Sequence, residues 1–194
     1  GRTDFVKDLI REWAGNVFEE GYANHNFYWK GKEPGWWSDD ALWLLQALDR
    51  YLKLTGDYDF LFERLPVAGG EGKKRPLTET IKAILSYSVR VSVGKHGLPL
   101  IDRADWNDCL RVLAKVAIDA AMDMFRVIKD DDYAMILSEM SEDVRVALVE
   151  SAWKDDFYAR VLFNRNDKPN LRYLGAKGDG LAVEDGAEGT YFLN

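Results

Sequence analysis

Apolar side chains recur every three or four positions through most of the chain, which is the spacing that buries one face of an α-helix. Polar and glycine-rich stretches separate these segments and predict the loops. Long helices followed by shorter ones build bundles, solenoids or α/α toroids, so we expect a mainly α protein. The predicted helices cover about residues 4–20, 38–55, 58–65, 78–93, 110–128, 131–139 and 141–153, and a few predicted short strands near the C-terminal end cover 157–163 and 171–174.

Residue types at the predicted helix ends fit these boundaries. Gly21 is a suitable stop for the first helix, and Gly56 follows the end of the second. Ser38 is suited to an N-cap position. Asp39 and Asp40 would then lie in the first turn, where acidic side chains interact favourably with the helix dipole.

Composition fits one packed domain or part of a larger one. Of the 194 residues, 47% are hydrophobic and 30% are charged, a balance that supports a core and argues against disorder. The formal net charge of −7 opposes nucleic acid and anionic membranes as partners, because both need a basic surface. No apolar stretch approaches the roughly 20 residues of a membrane span. The single cysteine, Cys109, precludes an internal disulfide and favours a reducing, cytoplasmic compartment.

The segment Ala104–Asp108 places two carboxylates around a tryptophan and an amide, directly before a predicted helix. A carboxyl group beside an indole face is partly desolvated, which raises its pKa and suits a general acid near neutral pH. Asn107 could orient that acid or a substrate hydroxyl. The alternative is that Asp108 caps the next helix and Asp105 closes an Asx-turn. The spacing alone favours this structural alternative.

The segment Gly35–Trp43 combines adjacent carboxylates with three tryptophans. Asp39 and Asp40 could accept paired sugar hydroxyls in a fork, and Trp37 could supply a stacking wall. The alternative is simple helix-dipole chemistry, which the spacing alone again favours. With two histidines and one cysteine in the chain, no zinc-like cluster can be drawn, and no glycine-rich loop has phosphate-binding spacing.

Three motifs together resemble one known family. They are GWWSDDALW (35–43), HGLPLIDRADWNDC (96–109) and GTYFL (189–193), in that order. They look like the cellobiose, cellodextrin and β-oligoglucan phosphorylases, which are inverting glycoside phosphorylases classed as glycoside hydrolase family 94. The resemblance implies an (α/α)6 barrel catalytic domain, preceded in the whole enzyme by a β-sandwich domain. It also implies that residues 1–194 are a fragment of this single catalytic domain.

The resemblance implies roles for several residues of these motifs. Asp108 is the second aspartate of the DWND motif and is expected to be the general acid. Trp106 is expected to line the sugar site on the non-reducing side of the scissile bond. Asp39 or Asp40 is expected to hydrogen-bond that glucosyl unit, with Asp40 preferred. The remaining expected substrate-binding residues are Trp37, Asn107 and Tyr191, and no metal site is expected.

The implied reaction needs only one carboxyl group. An inverting hydrolase requires a second carboxylate to activate water, whereas inorganic phosphate is itself a nucleophile. The acid protonates the glycosidic oxygen while phosphate attacks the anomeric carbon from the opposite face, giving α-glucose 1-phosphate and a chain shortened by one unit. Phosphate is therefore an expected co-substrate, and no organic cofactor is expected. Cellobiose or longer β-1,4-linked cellodextrins are the first substrate candidates, and β-1,2-linked gluco-oligosaccharides are the second.

Two alternative functions stay open. An inverting hydrolase on the same barrel would need a base, for which Glu184, Asp185 and Glu188 are candidates. A non-catalytic carbohydrate-binding helical module would use its tryptophans and aspartates only to bind.

The resemblance also sets expectations about the rest of the enzyme. The family's phosphate site uses residues of later loops, which are expected beyond Asn194. The segment after Asp108 enters the next helix sooner than in relatives, so a loop is expected to be missing near 112–113. The expected partners are a β-gluco-oligosaccharide, phosphate, the β-sandwich and remaining barrel helices of the same enzyme, and a second copy of the chain in a homodimer.

Overall fold

The structure is a computed structural model. It divides into two compact units, residues 1–147 and residues 148–194. The residues that it describes are 2–28, 31–33, 39–94, 96–100, 110–154, 157–158, 173–176 and 182–184. No helix within these ranges is both long enough and apolar enough to cross a bilayer.

The first unit is mainly helical, as the hydrophobic spacing predicts. A 3-10 helix at Tyr58–Phe62 and a π-helical turn at Tyr87–Val91 accompany the longer helices. The α-helices are α1 (Thr3–Ala14), α2 (Asp40–Thr55), α3 (Leu77–Ser86), α4 (Leu110–Val127) and α5 (Asp131–Ala147).

Helix α2 is the centre of this unit, because it contacts α1, α3 and α4, and α4 in turn packs against α5. Its leucines are suited to that position, since they combine high helix propensity with large apolar surface. Gly56 ends the helix in a left-handed conformation with φ of 71°, and its N–H bonds to the carbonyl of Leu52. The buried side chains of α2 are Ala41, Leu42, Leu44, Leu45, Leu48, Tyr51 and Leu52.

The described part of the first unit contains two antiparallel hairpins, although the sequence predicted strands only near the C-terminal end. Strands β1 (Asn26–Tyr28) and β2 (Gly31–Glu33) form one, with Asn26 opposite Glu33. Strands β3 (Arg64–Pro66) and β4 (Lys74–Pro76) form the other. Three-residue strands are too short to show a clear alternation in the sequence, which explains why both were missed.

The second unit is described only in parts. A π-helical turn at Leu148–Ala152 leads into β5 (Trp153–Lys154), which pairs with β6 (Phe157–Tyr158). Strands β7 (Tyr173–Ala176) and β8 (Ala182–Glu184) form a second antiparallel pair. Strand β6 lies within the strand predicted over 157–163, and β7 overlaps the one predicted over 171–174; residues 159–163 and 171–172 lie outside the described residues.

Several predicted helix boundaries are wrong, and the helix predicted over 58–65 is one of them, since Arg64 and Leu65 belong to β3. Helix α1 ends at Ala14, so Gly21 is not its stop. The N-cap of α2 is Asp39 and not Ser38, which lies outside the described residues. The two helices predicted on either side of residue 140 are the single helix α5.

An ionic cluster ties α1 to the 3-10 segment. The Lys7 ammonium donates to Asp57 at 2.6 Å, and Tyr51 donates to the same carboxylate at 2.7 Å. The Arg11 guanidinium forms a two-bond fork with Glu63, at 2.7 and 2.8 Å. Hydrogen bonds from Lys7 and then Tyr51 lower the pKa of Asp57, and the hydrogen bond from Arg11 lowers the pKa of Glu63.

These lowered pKa values predict how acid affects stability. Each carboxylate stabilises the fold above its ordinary pKa of 3.8 or 4.5, and the stabilisation is lost as the pH falls through the lower folded-state value. Replacing Arg11→Met should therefore lower the urea midpoint at pH 7, and the difference from wild type should shrink towards about pH 3.

A suitable control for that experiment is Arg64→Met. Arg64 donates to the backbone carbonyl of Lys74 at 2.7 Å, and that acceptor does not titrate. Its effect on the urea midpoint should therefore be independent of pH. An Arg11→Met difference that stays constant from pH 7 to pH 3 would contradict the assignment of the Arg11–Glu63 pair.

Candidate functional site

The structure locates two of the predicted site residues, Asp39 and Asp40, at the start of the central helix α2. The others, which the sequence placed in the two tryptophan-containing motifs and the C-terminal GTYFL motif, lie outside the described residues. These are Trp37, Trp106, Asn107, Asp108 and Tyr191.

Asp39 is buried, with 6% of its surface exposed. Its backbone carbonyl accepts the N–H groups of Leu42 and Trp43, at 2.9 and 3.1 Å, which begins the helix. Its side chain does not cap these donors. Instead, Oδ2 accepts a hydrogen bond from the indole Nε1 of Trp43 at 3.1 Å.

The second carboxylate oxygen of Asp39, Oδ1, is buried without a hydrogen-bond partner in the described part of the chain. A buried acceptor that is left unpaired costs about 1–3 kcal/mol, and more when it is charged. Such an oxygen marks a position where a donor from a bound molecule or an ordered water would be stabilised.

Asp40 contacts the imidazole of His25. The Nδ1 atom lies 3.0 Å from Oδ2 and 3.3 Å from Oδ1, so one ring nitrogen spans both carboxylate oxygens. An ionised carboxylate can only accept hydrogen bonds, which makes Nδ1–H the donor. Both side chains are partly exposed, at 21% for His25 and 15% for Asp40.

The backbone before His25 is held in a tight turn. The N–H of Phe18 donates to the carbonyl of Tyr22 at 2.8 Å, and the N–H of Gly21 donates back to Phe18 at 3.1 Å. Gly21 has φ of +113°, a conformation that favours glycine, and it lies against the backbone of Ala83 in α3.

Side chains fix this turn from two sides. The Asn24 amide donates to the side-chain oxygen of Asn16 at 3.1 Å, and the Asn16 amide donates to the carbonyl of Glu12 at 2.8 Å. Arg75 donates to the carbonyls of Phe18 and Glu19, at 2.8 and 3.0 Å. His25 is therefore attached to a well-connected frame one residue beyond the Asn16–Asn24 pair.

Sequence reasoning did not assign His25 a role. Its partner carboxylate lies 15 positions away along the chain and in another element. No local spacing rule predicts such a contact, and the only available signal was the scarcity of histidine, with two in the chain.

Within the described ranges, no group of three or more histidine, cysteine, aspartate or glutamate side chains is arranged to hold a metal ion. The site residues that the structure locates offer carboxylates, an imidazole and an indole. Such groups are suited to binding the hydroxyls and the apolar face of a sugar.

Comparison with known families gives a direct assignment. Residues 4–172 match the family described as the glycosyl hydrolase 94 superfamily, catalytic domain. The chain therefore belongs to this family, as the motif resemblance indicated. The matched region includes Asp39, Asp40 and the DWND segment, and it ends before Tyr191.

Three curated relatives show how the chain compares with whole proteins. It is 32% identical over 143 residues to an N,N'-diacetylchitobiose phosphorylase of Vibrio proteolyticus, covering 68% of this chain and 18% of that protein. It is 28% identical over 182 residues to the solabiose phosphorylase of Paenibacillus borealis, covering 84% and 22%. It is 26% identical over 200 residues to the cyclic beta-(1,2)-glucan synthase NdvB of Rhizobium meliloti (strain 1021), covering 87% and 7%. The chain thus spans less than a quarter of the length of each.

Proposed function

We propose that this chain forms part of an inverting glycoside phosphorylase that transfers a glucosyl unit from a β-linked gluco-oligosaccharide to inorganic phosphate. The observation that carries the proposal is the family match over residues 4–172. This range includes the Asp39–Asp40 pair and the DWND segment. Relatives named as phosphorylases of N,N'-diacetylchitobiose and solabiose support the same type of reaction.

In this proposal Asp108 is the general acid. It donates its proton to the glycosidic oxygen as the bond to the anomeric carbon breaks. Phosphate attacks that carbon from the opposite face, so the product is α-glucose 1-phosphate. A base carboxylate is unnecessary because the nucleophile is already an anion. Trp106, Asn107, Trp37 and Tyr191 complete the proposed sugar site, and no metal or organic cofactor takes part.

Asp40 is the proposed hydrogen-bond acceptor for the glucosyl unit. Its carboxylate is partly exposed and oriented by His25, whereas Asp39 is buried against Trp43. A carboxylate at a partly exposed helix start can accept two adjacent hydroxyls in a fork. Asp39 is the second candidate, because Oδ1 still lacks a donor in the described structure.

The proposed substrates are β-1,4-linked cellobiose and cellodextrins first, and β-1,2-linked gluco-oligosaccharides second. The relative named cyclic beta-(1,2)-glucan synthase supports inclusion of the second linkage. Relatives named for N,N'-diacetylchitobiose, solabiose and cellobionic acid extend the panel of sugars that should be assayed.

The proposed architecture is an (α/α)6 barrel of which this chain supplies part, together with a β-sandwich and further barrel helices of the same enzyme. The chain covers only 18%, 22% and 7% of the length of the three relatives, which supports this arrangement. A loop is also proposed to be missing near 112–113. A cytoplasmic homodimer is proposed for the whole enzyme.

The proposal predicts phosphate-dependent release of glucose 1-phosphate. The full-length enzyme should be incubated with each oligosaccharide, with and without phosphate, and the products should be followed by NMR to identify the anomer. We expect α-glucose 1-phosphate only when phosphate is present. Equal release of free glucose without phosphate would indicate the hydrolase alternative, with Glu184, Asp185 or Glu188 as base. Binding without any turnover would indicate a carbohydrate-binding module.

A further inference from the structure

We infer that His25 is a positioning residue that sets the orientation of the Asp40 carboxylate for sugar binding. The inference rests on the proposed function, because it assigns a task to Asp40. The observation that carries it is the bond from one imidazole nitrogen to both carboxylate oxygens, at 3.0 and 3.3 Å.

This contact restricts the orientation of the Asp40 carboxylate. A carboxylate at a helix start can rotate about two side-chain torsions, and each orientation offers its lone pairs in a different direction. A donor centred between the two oxygens selects one plane for the group. Each oxygen has more than one acceptor direction, so a sugar hydroxyl can still be accepted beside the imidazole.

The connection of His25 to the fold makes that restriction effective. The N–H of Asn24, the residue before it, donates to the carbonyl of Asn16 at 3.0 Å, and the two asparagine side chains also bond to each other. Asn16 and Asn24 are both 3% exposed. A binding group gains most when the residues that orient it are themselves held by packing and hydrogen bonds.

The chemistry of the pair also excludes a simple packing role for the ring. An aromatic side chain that only filled space would not require a nitrogen aimed at a carboxylate. Asparagine is shorter than histidine, yet its amide nitrogen occupies nearly the same place as Nδ1. His25→Asn should therefore preserve the bond to Asp40, whereas His25→Ala removes it.

The test compares these variants in the full-length enzyme. We expect His25→Ala to lower kcat/KM for phosphorolysis about 10- to 100-fold, a typical cost of losing a group that orients a binding residue. His25→Asn should recover most of that loss. In an Asp40→Ala background, His25→Ala should have little further effect, because the side chain that it orients is gone.

Two controls separate positioning from folding. A residue outside the three motifs, Arg126, is exposed near the end of α4, and Arg126→Ala should leave kinetics and thermal unfolding unchanged. Oligosaccharide binding measured by calorimetry should follow the same order as kcat/KM, with His25→Ala weakest among the single histidine variants. The inference is overturned by equal losses from His25→Ala in the wild-type and Asp40→Ala backgrounds, or by no recovery in His25→Asn.

The same measurements distinguish failure of this inference from failure of the proposed function. A wild-type enzyme that binds oligosaccharide but shows no phosphorolysis would contradict the reaction and leave the binding series to decide about His25. A protein with neither binding nor turnover would overturn both proposals.

Discussion

Replacing Asp108→Asn in the full-length enzyme is expected to lower kcat by about 10²- to 10⁴-fold, the usual contribution of a general acid. The amide keeps the size and much of the hydrogen-bonding capacity of the acid, but it has no proton to give to the glycosidic oxygen. Oligosaccharide affinity should therefore change little, because binding precedes proton transfer. Steady-state kinetics with saturating phosphate, together with calorimetric binding, measure both effects.

The chemistry of the leaving group provides an internal control. An aryl β-glucoside with an acidic phenol needs little protonation as it departs, so Asp108→Asn should cost much less with that substrate than with cellobiose. Asp105→Asn, in the same motif, should be less damaging than Asp108→Asn, because the proposed reaction takes no proton from Asp105. Turnover of cellobiose by Asp108→Asn at a near wild-type rate would remove Asp108 from the mechanism.

Helix α2 shows what the sequence could predict about the fold. Its leucines recur at helical spacing, and a glycine follows the last of them at position 56. Both signals are local, and both correspond to the structure, where the helix ends at Thr55 and Gly56 adopts a left-handed conformation. Where packing, propensity and capping agree in this way, an element can be predicted from its own residues.

Helix α5 shows where local reasoning failed. Serine is favoured at helix starts, which makes Ser141 a natural boundary between two shorter helices. In the structure Ser141 lies within α5, and its hydroxyl donates to Asp119 of α4 at 2.6 Å. Lys115 bonds to the other oxygen of Asp119. The Ser141 hydroxyl is therefore hydrogen-bonded to a second helix. The sequence around residue 141 gives no indication of this long-range contact.

The predicted end of helix α1 was wrong for a related reason. Apolar spacing continues past Gly15 to Val17, which is fully buried, so periodicity alone extends the helix. The chain instead turns away, and Val17 pairs with Ala23 in an isolated antiparallel bridge. Burial was predicted correctly at this position, but the backbone conformation was not, since strands and helices both bury valine.

For the candidate site too, the sequence predicted some features and missed others. Adjacent aspartates before a leucine-rich helix can be recognised in the sequence, and the structure places both at the start of α2. The partners that distinguish them, Trp43 for Asp39 and His25 for Asp40, emerge only from the folded chain. The long-range pair with His25 depends on the turn at Gly21, whose role the sequence misassigned to a helix stop.

That turn gives the largest expected effect on stability, which is the response to Gly21→Ala. A Cβ atom at this position would overlap the carbonyl group of Ala83 and lie 2.9 Å from the backbone nitrogen of Ile84. Backbone atoms of α3 cannot move aside without displacing the helix. The positive φ of 113° adds strain that is independent of this overlap. Together these effects should lower the free energy of unfolding by about 3–5 kcal/mol.

Gly56→Ala separates the two causes. Gly56 also has a positive φ, of 71°, but a Cβ atom there meets nothing within 4 Å. Its substitution should cost only about 1 kcal/mol, the conformational part alone. Urea unfolding followed by circular dichroism of both variants measures the difference. A similar loss in the two variants would mean that α3 does not lie against the turn. In that case the rigid frame behind His25, on which the orientation of Asp40 depends, would be absent as well.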